Sequence, residues 1–231
     1  LGWCLIFSAE GDEFRDFETP AVIFQRVIDE LDRVKELRGE DPNAANRALA
    51  QTGLGVARMG AGQVTEASNA FRRAMDANPQ SVEAHFNMGL LHLRVGRAEQ
   101  AVPNLEVALA NSPRSLRYMV ALGVALERAG NDARARKVAT EATDYHPTSP
   151  GPKALLGTLA AKRRDFDEAE RWLTESLRAN PSNGQALFDL AKVYLAKDRA
   201  ADAMPLLEEA CLRLPDNFEV HYTFGVLLYE A

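Results

Sequence analysis

The sequence predicts an all-α chain made of stacked two-helix units, and three observations carry that prediction. Prolines stand at Pro79, Pro113, Pro147, Pro181 and Pro215, 34 residues apart without a slip. The same interval relates Ala67, Ala101, Ala135, Ala169 and Ala203, and also Gly55, Gly89, Gly123 and Gly157, then Ala191 and Gly225. Between these markers apolar residues recur at spacings of three and four, the period of a helix with one buried face. An unbroken repeat of this length means stacked supersecondary units rather than one globular core.

The elements follow in chain order. Leu1-Gly2-Trp3-Cys4-Leu5 aligns with Leu54-Gly55-Val56-Ala57-Arg58 and its later copies, so the sequence is expected to begin in the middle of a first helix. Residues 10–19 carry five acids with Gly11 and read as an enlarged loop. Thr19 offers an N-cap and Pro20 a first helical position, after which Phe24, Val27, Ile28, Leu31 and Val34 predict an amphipathic helix to about Arg38. Residues 1–47 thus form a degenerate repeat. Asp41-Pro42 restarts a helix, but Pro42 precedes Gly55 by 13 residues, so the register breaks there.

Five full repeats are expected at 48–81, 82–115, 116–149, 150–183 and 184–217. In each, a Gly or charged residue near position 15 marks the turn between helices. Alanine at position 20 and a small residue at position 27 (Ala74, Ala108, Ala142, Ser176, Ala210) let paired helices approach. The proline at position 32 lacks an N–H and ends each second helix. Helices this short are marginal alone in water, so each must be stabilised by its neighbours. Residues 218–231 repeat the first helix once more with no second helix after it, and the sequence reads as cut within a repeat.

Composition narrows the function classes. The chain has 231 residues, 46% hydrophobic and 26% charged, which fits a folded protein rather than a disordered one. Its net charge is −6, concentrated before residue 48, and no basic stripe of the kind that tracks phosphates runs along the repeats. Nucleic acid is therefore not an expected partner. Two cysteines, Cys4 and Cys211, form no disulfide framework. No apolar run reaches the ~18–20 residues of a membrane span. A soluble, cytoplasmic chain is the first expectation, with a periplasmic or tethered one as the alternative. Arginine far outnumbers lysine and alanine is abundant, which points to a bacterial source.

The 34-residue skeleton resembles the tetratricopeptide repeat, which runs W-x2-L-G-x2-Y, then A-x3-F, then P. The resemblance implies a right-handed α-solenoid whose first helices line a concave groove that binds a partner protein or peptide. Groove-facing positions of the family, carried onto this chain, fall on Phe86, Leu90 and Leu93, then Val120 and Val124, then Ala154 and Thr158. Phe188, Lys192 and Leu195 follow, then Tyr222, Val226 and Tyr229, with Trp3 and Ile6 from the degenerate repeat. A row this apolar suits an amphipathic helix or an extended segment with apolar anchors. Two specialisations of the family are not matched. Position 5 (Thr52, Phe86, Val120, Ala154, Phe188, Tyr222) holds no base to clamp a terminal carboxylate. Position 6 (Gly53, Asn87, Ala121, Leu155, Asp189, Thr223) holds one Asn rather than a ladder.

Catalytic chemistry finds no support. His85 and His92 are seven apart, about 10 Å along a helix, too far to share a metal, and with His221 they occupy positions used for packing. His146 falls in an inter-repeat loop without an obvious partner. Gly53, Gly55, Gly60 and Gly62 do not make the phosphate-binding G-x-G-x-x-G pattern, and a helix rather than a strand precedes them. No catalytic residues, metal or cofactor are expected. The sequence reads as a non-catalytic interaction scaffold, with the recruiting region of a larger enzyme or a membrane-associated assembly factor as the alternatives.

Overall fold

A computed structural model describes residues 18–38 and 43–230. The expected helix through Leu1–Phe7 with Trp3 and Ile6, most of the acidic loop, and the restart at Asp41-Pro42 lie outside the described residues.

Every described element is a helix. The first, α1 (Glu18–Arg38), begins before the Thr19 cap that the sequence suggests. Then come α2 (Ala44–Gly60), α3 (Val64–Ala77), α4 (Val82–Arg94), α5 (Ala98–Asn111) and α6 (Leu116–Arg128). They are followed by α7 (Asp132–Tyr145), α8 (Pro150–Lys162), α9 (Phe166–Ala179), α10 (Gly184–Ala196), α11 (Ala200–Arg213) and α12 (Phe218–Glu230). From α4 onward each first helix starts 34 residues after the one before, at 82, 116, 150, 184 and 218. The second helices keep the same step from 64 to 200. The first helix of the first repeat departs from this pattern, entering its helix at Ala44 and running 17 residues instead of 13.

The chain divides into two compact units, Leu1–Pro113 and Arg114–Ala231. In each, α-helical hairpins are sealed by the small residues the repeat prescribes. Ala67, Ala101, Ala135, Ala169 and Ala203 are all fully buried, and so are Ala74, Ala108, Ala142, Ser176 and Ala210. Opposite them stands position 8. A Cβ built on Gly55 would come within 2.4 Å of the Phe71 ring, one on Gly89 within 2.6 Å of Leu105 Cγ, and one on Gly157 within 2.5 Å of Leu173 Cγ. Glycine here lets the second helix lay a large side chain directly on the backbone of the first. Gly123 differs, because its own second helix offers the small, buried Ala139 at that level, and the nearest atom is instead Leu155 Cδ2 at 2.5 Å.

The joints are built from local chemistry. At position 15 the backbone turns left-handed: Gly62, Gly96 and Gly130 have φ of 78°, 75° and 76°, and Arg164 and Asp198 take the same turn at 63° and 56°. Ser81, Asp165 and Asn183 cap α4, α9 and α10 by accepting a backbone N–H three residues on. The histidines tie joints together. His85 Nε2 lies 3.0 Å from the Pro79 carbonyl, and His221 Nε2 lies 3.0 Å from the Pro215 carbonyl at the equivalent place. His146, for which the sequence offers no partner, meets the Arg114 carbonyl at 2.7 Å. No helix among the described residues is long and apolar enough to cross a membrane.

A candidate partner-binding groove

Three first helices of the second unit, α6, α8 and α10, present one continuous face. The groove along it encloses about 760 Å³ and is floored by Val120, Val124, Ala154 and Thr158, with Lys192 at its edge. These five positions come together within the second unit, where helical residues 34 apart stand at the same level of successive repeats.

The aromatic anchors do not belong to that face. Phe188 is 1% exposed and packs with Val220 and Leu227 of α12, and Phe86, on α4 of the first unit, is 3% exposed. This corrects the expectation that both rings present themselves to a partner. The reason is volume. At position 5 a large ring fills the space toward adjacent helices, whereas Val120 and Ala154 at the same position are too small to fill it and leave a groove. Leu90 and Leu93 are half-buried on α4. Tyr222 and Val226 are exposed on α12, Tyr222 stacking on Phe218 with ring centroids 5.8 Å apart.

A residue without an assigned role in the sequence holds the groove's polar chemistry. Asp189, at position 6 of its repeat, is 6% exposed. Thr158 Oγ1 donates to it from α8 at 2.7 Å, and Gln185 Nε2 donates from its own helix at 2.9 Å. Lys192 Nζ stands 3.6 Å from the same carboxylate, 3.5 Å from Glu219, and 4.4 Å from the centroid of the Phe188 ring. Asp189 therefore joins α8 to α10 and fixes the lysine at the groove edge. A buried carboxylate is tolerated only when hydrogen-bonded and paired in this way. The signal in the sequence was a charged residue at a position filled by Gly53, Asn87, Ala121, Leu155 and Thr223 in the other repeats.

Elsewhere the charged chemistry is structural. Lys197 bridges Asp167 at 2.7 Å and Glu170 at 2.6 Å, and Arg199 reaches Glu170 at 2.9 Å and Asp202 at 2.7 Å. The Lys197 hydrogen bond holds the Glu170 carboxyl below its ordinary range. Burial pushes the free Cys211 thiol upward, away from reactive thiolate. Burial, with Arg97 nearby, lowers His92. Among the described residues no group of three His, Cys, Asp or Glu side chains is placed to hold a metal ion.

Comparison with known proteins settles the family. The tetratricopeptide repeat model matches residues 52–97, 86–150 and 155–218, well over half the chain. The chain is a tetratricopeptide repeat protein. Among curated proteins this TPR chain is 23% identical over 158 residues to human protein O-mannosyl-transferase TMTC3, a match covering 67% of this chain and 17% of that protein. It spans less than half the length of each curated relative it matches here. Among solved structures it resembles a thermophilic TPR protein of Thermus thermophilus (TM-score 0.65, 24% identity, 79% of this chain and 99% of that one). It also resembles YrrB, described as a TPR protein with an unusual peptide-binding site (TM-score 0.57, 16% identity, 84% of this chain and 96% of that one). At these identities the structural likenesses speak for the fold.

Proposed function

We propose that this TPR protein is a non-catalytic interaction scaffold that seats a peptide segment of a partner protein in the groove of α6, α8 and α10. The observation that carries the reading is that groove itself, in which Val120, Val124, Ala154, Thr158 and Lys192 converge from three repeats. Its volume lies in the range of sites that bury most of a ligand's surface. An amphipathic helix or an extended apolar segment fits such a trough. The solved TPR protein described as having a peptide-binding site supports the same class of role.

A second reading is favoured by one finding. The match to TMTC3 covers only 17% of that enzyme, so a TPR array of this kind also occurs as one region of a larger protein with catalytic function. In that setting the same groove would recruit the partner or substrate protein.

The test is steric. Ala154→Trp places an indole on the half-buried floor. Peptides selected from a random display library on the unmodified chain should lose binding to the Trp variant, with helicity by circular dichroism unchanged. If every selected peptide binds both proteins equally, the groove is not the docking surface.

A further inference from the structure

Beside the small and β-branched Val120, Val124, Ala154 and Thr158, only Leu155 and Phe166 bring bulky apolar side chains to the groove lining, so an occupant must supply most of the bulky apolar surface. Of the charges at its rim, one stands unpaired among the described residues. Glu127 is engaged by Lys162. Asp189 is buried and shared among Thr158, Gln185 and Lys192, so it cannot meet an incoming residue. Arg128 lines the groove, is exposed, and forms no ion pair among the described residues. Lys192 is 44% exposed and only loosely matched, at 3.6 and 3.5 Å from its two carboxylates.

We infer that the groove selects a partner segment carrying bulky apolar side chains next to side-chain carboxylates, with Arg128 and Lys192 as the groups that meet those carboxylates. The inference rests on the groove being the docking surface and adds the chemistry of what docks. Lys192 is suited to this role because the Phe188 ring and Asp189 already hold its ammonium in place, so less side-chain freedom is lost on binding. A basic segment would face the unpaired Arg128 beside the exposed Lys192 ammonium and bind less well. Each rim contact is solvent-exposed and individually weak, so the preference should be sensitive to salt.

The experiment uses the full chain and a random peptide display library, followed by synthetic peptides of the selected sequence in fluorescence anisotropy. Selected sequences should combine Leu, Ile, Phe or Met with Asp or Glu. Replacing those acids by Asn or Gln in the peptide should weaken binding roughly five- to tenfold, and raising salt from about 0.05 to about 0.3 M should do much the same. Arg128→Gln with Lys192→Gln should reproduce that loss, while Arg136→Gln with Lys137→Gln on α7 should not. The peptide substitutions leave the protein untouched, so the result does not depend on how the variants fold. Peptides blocked by Ala154→Trp but indifferent to acid replacement, to salt and to both rim variants would overturn this inference and leave the docking reading standing. Peptides indifferent to Ala154→Trp would overturn both.

Discussion

Replacing glycine by alanine at Gly157, position 8 of its repeat, should destabilise the chain. At Gly157 the new Cβ would lie 2.5 Å from Leu173 Cγ, 2.9 Å from its Cδ2 and 3.2 Å from its backbone nitrogen. Ordinary carbon contacts need about 3.5–4.0 Å. Leu173 is fully buried and its Cγ cannot swing aside without the whole side chain leaving its rotamer, so α8 and α9 must separate. Overpacking of this kind costs about 1–3 kcal/mol. The gain in helix propensity offsets up to about 1 kcal/mol of that, and a strained pair at the upper end of the range leaves a net loss of about 1–2 kcal/mol. For a chain of this size that lowers Tm by about 2–8 °C. Thermal melts followed by circular dichroism read the loss. A Gly157→Ala chain that melts no lower than the parent would show that position 8 is glycine for some reason other than close packing.

Three further perturbations follow from the structure. Arg164→Gly and Asp198→Gly relieve side-chain-bearing residues of left-handed backbone at φ of 63° and 56°, and each should raise stability by roughly 1 kcal/mol in denaturant melts. Glu170 is held below its ordinary value of 4.5 by Lys197, so the stability it contributes is complete above that value and fades as pH falls through the lower folded one. Glu170→Gln should therefore flatten the acid side of the stability–pH curve below about pH 4.5, measured by melts across that range. On α12, Phe218, Tyr222, Val226 and Tyr229 are all exposed and fall on one side of the helix by its 100° step, and such an apolar stripe favours association. Tyr222→Glu with Tyr229→Glu should shift sedimentation velocity profiles toward the monomer.

The repeat was legible because one geometric demand recurs at a fixed interval. Only small residues fit where paired helices touch, so Ala67, Ala101 and their copies mark the buried seam in the sequence itself. What depends on volume between elements was not legible. Phe86, Val120, Ala154 and Phe188 share one repeat position, yet the two rings are buried and the two small residues lie partly open in the groove, because the ring itself fills the gap that would have exposed it. Asp189 was equally opaque: its burial depends on Thr158, a residue 31 positions earlier that reaches it across the helix interface. The contact of His146 with Arg114 likewise closes over 32 residues and leaves no local pattern. The extra turn at the start of α2 arises where Pro42 breaks the register, which the spacing did announce.

The most direct test of the docking reading is the chemical-shift map of the isotopically labelled chain titrated with a display-selected peptide. The groove account predicts the largest shifts at Val120, Val124, Ala154, Thr158 and Lys192, on α6, α8 and α10. Shifts centred on Arg136 and Lys137 of α7, with the groove residues unmoved, would contradict it.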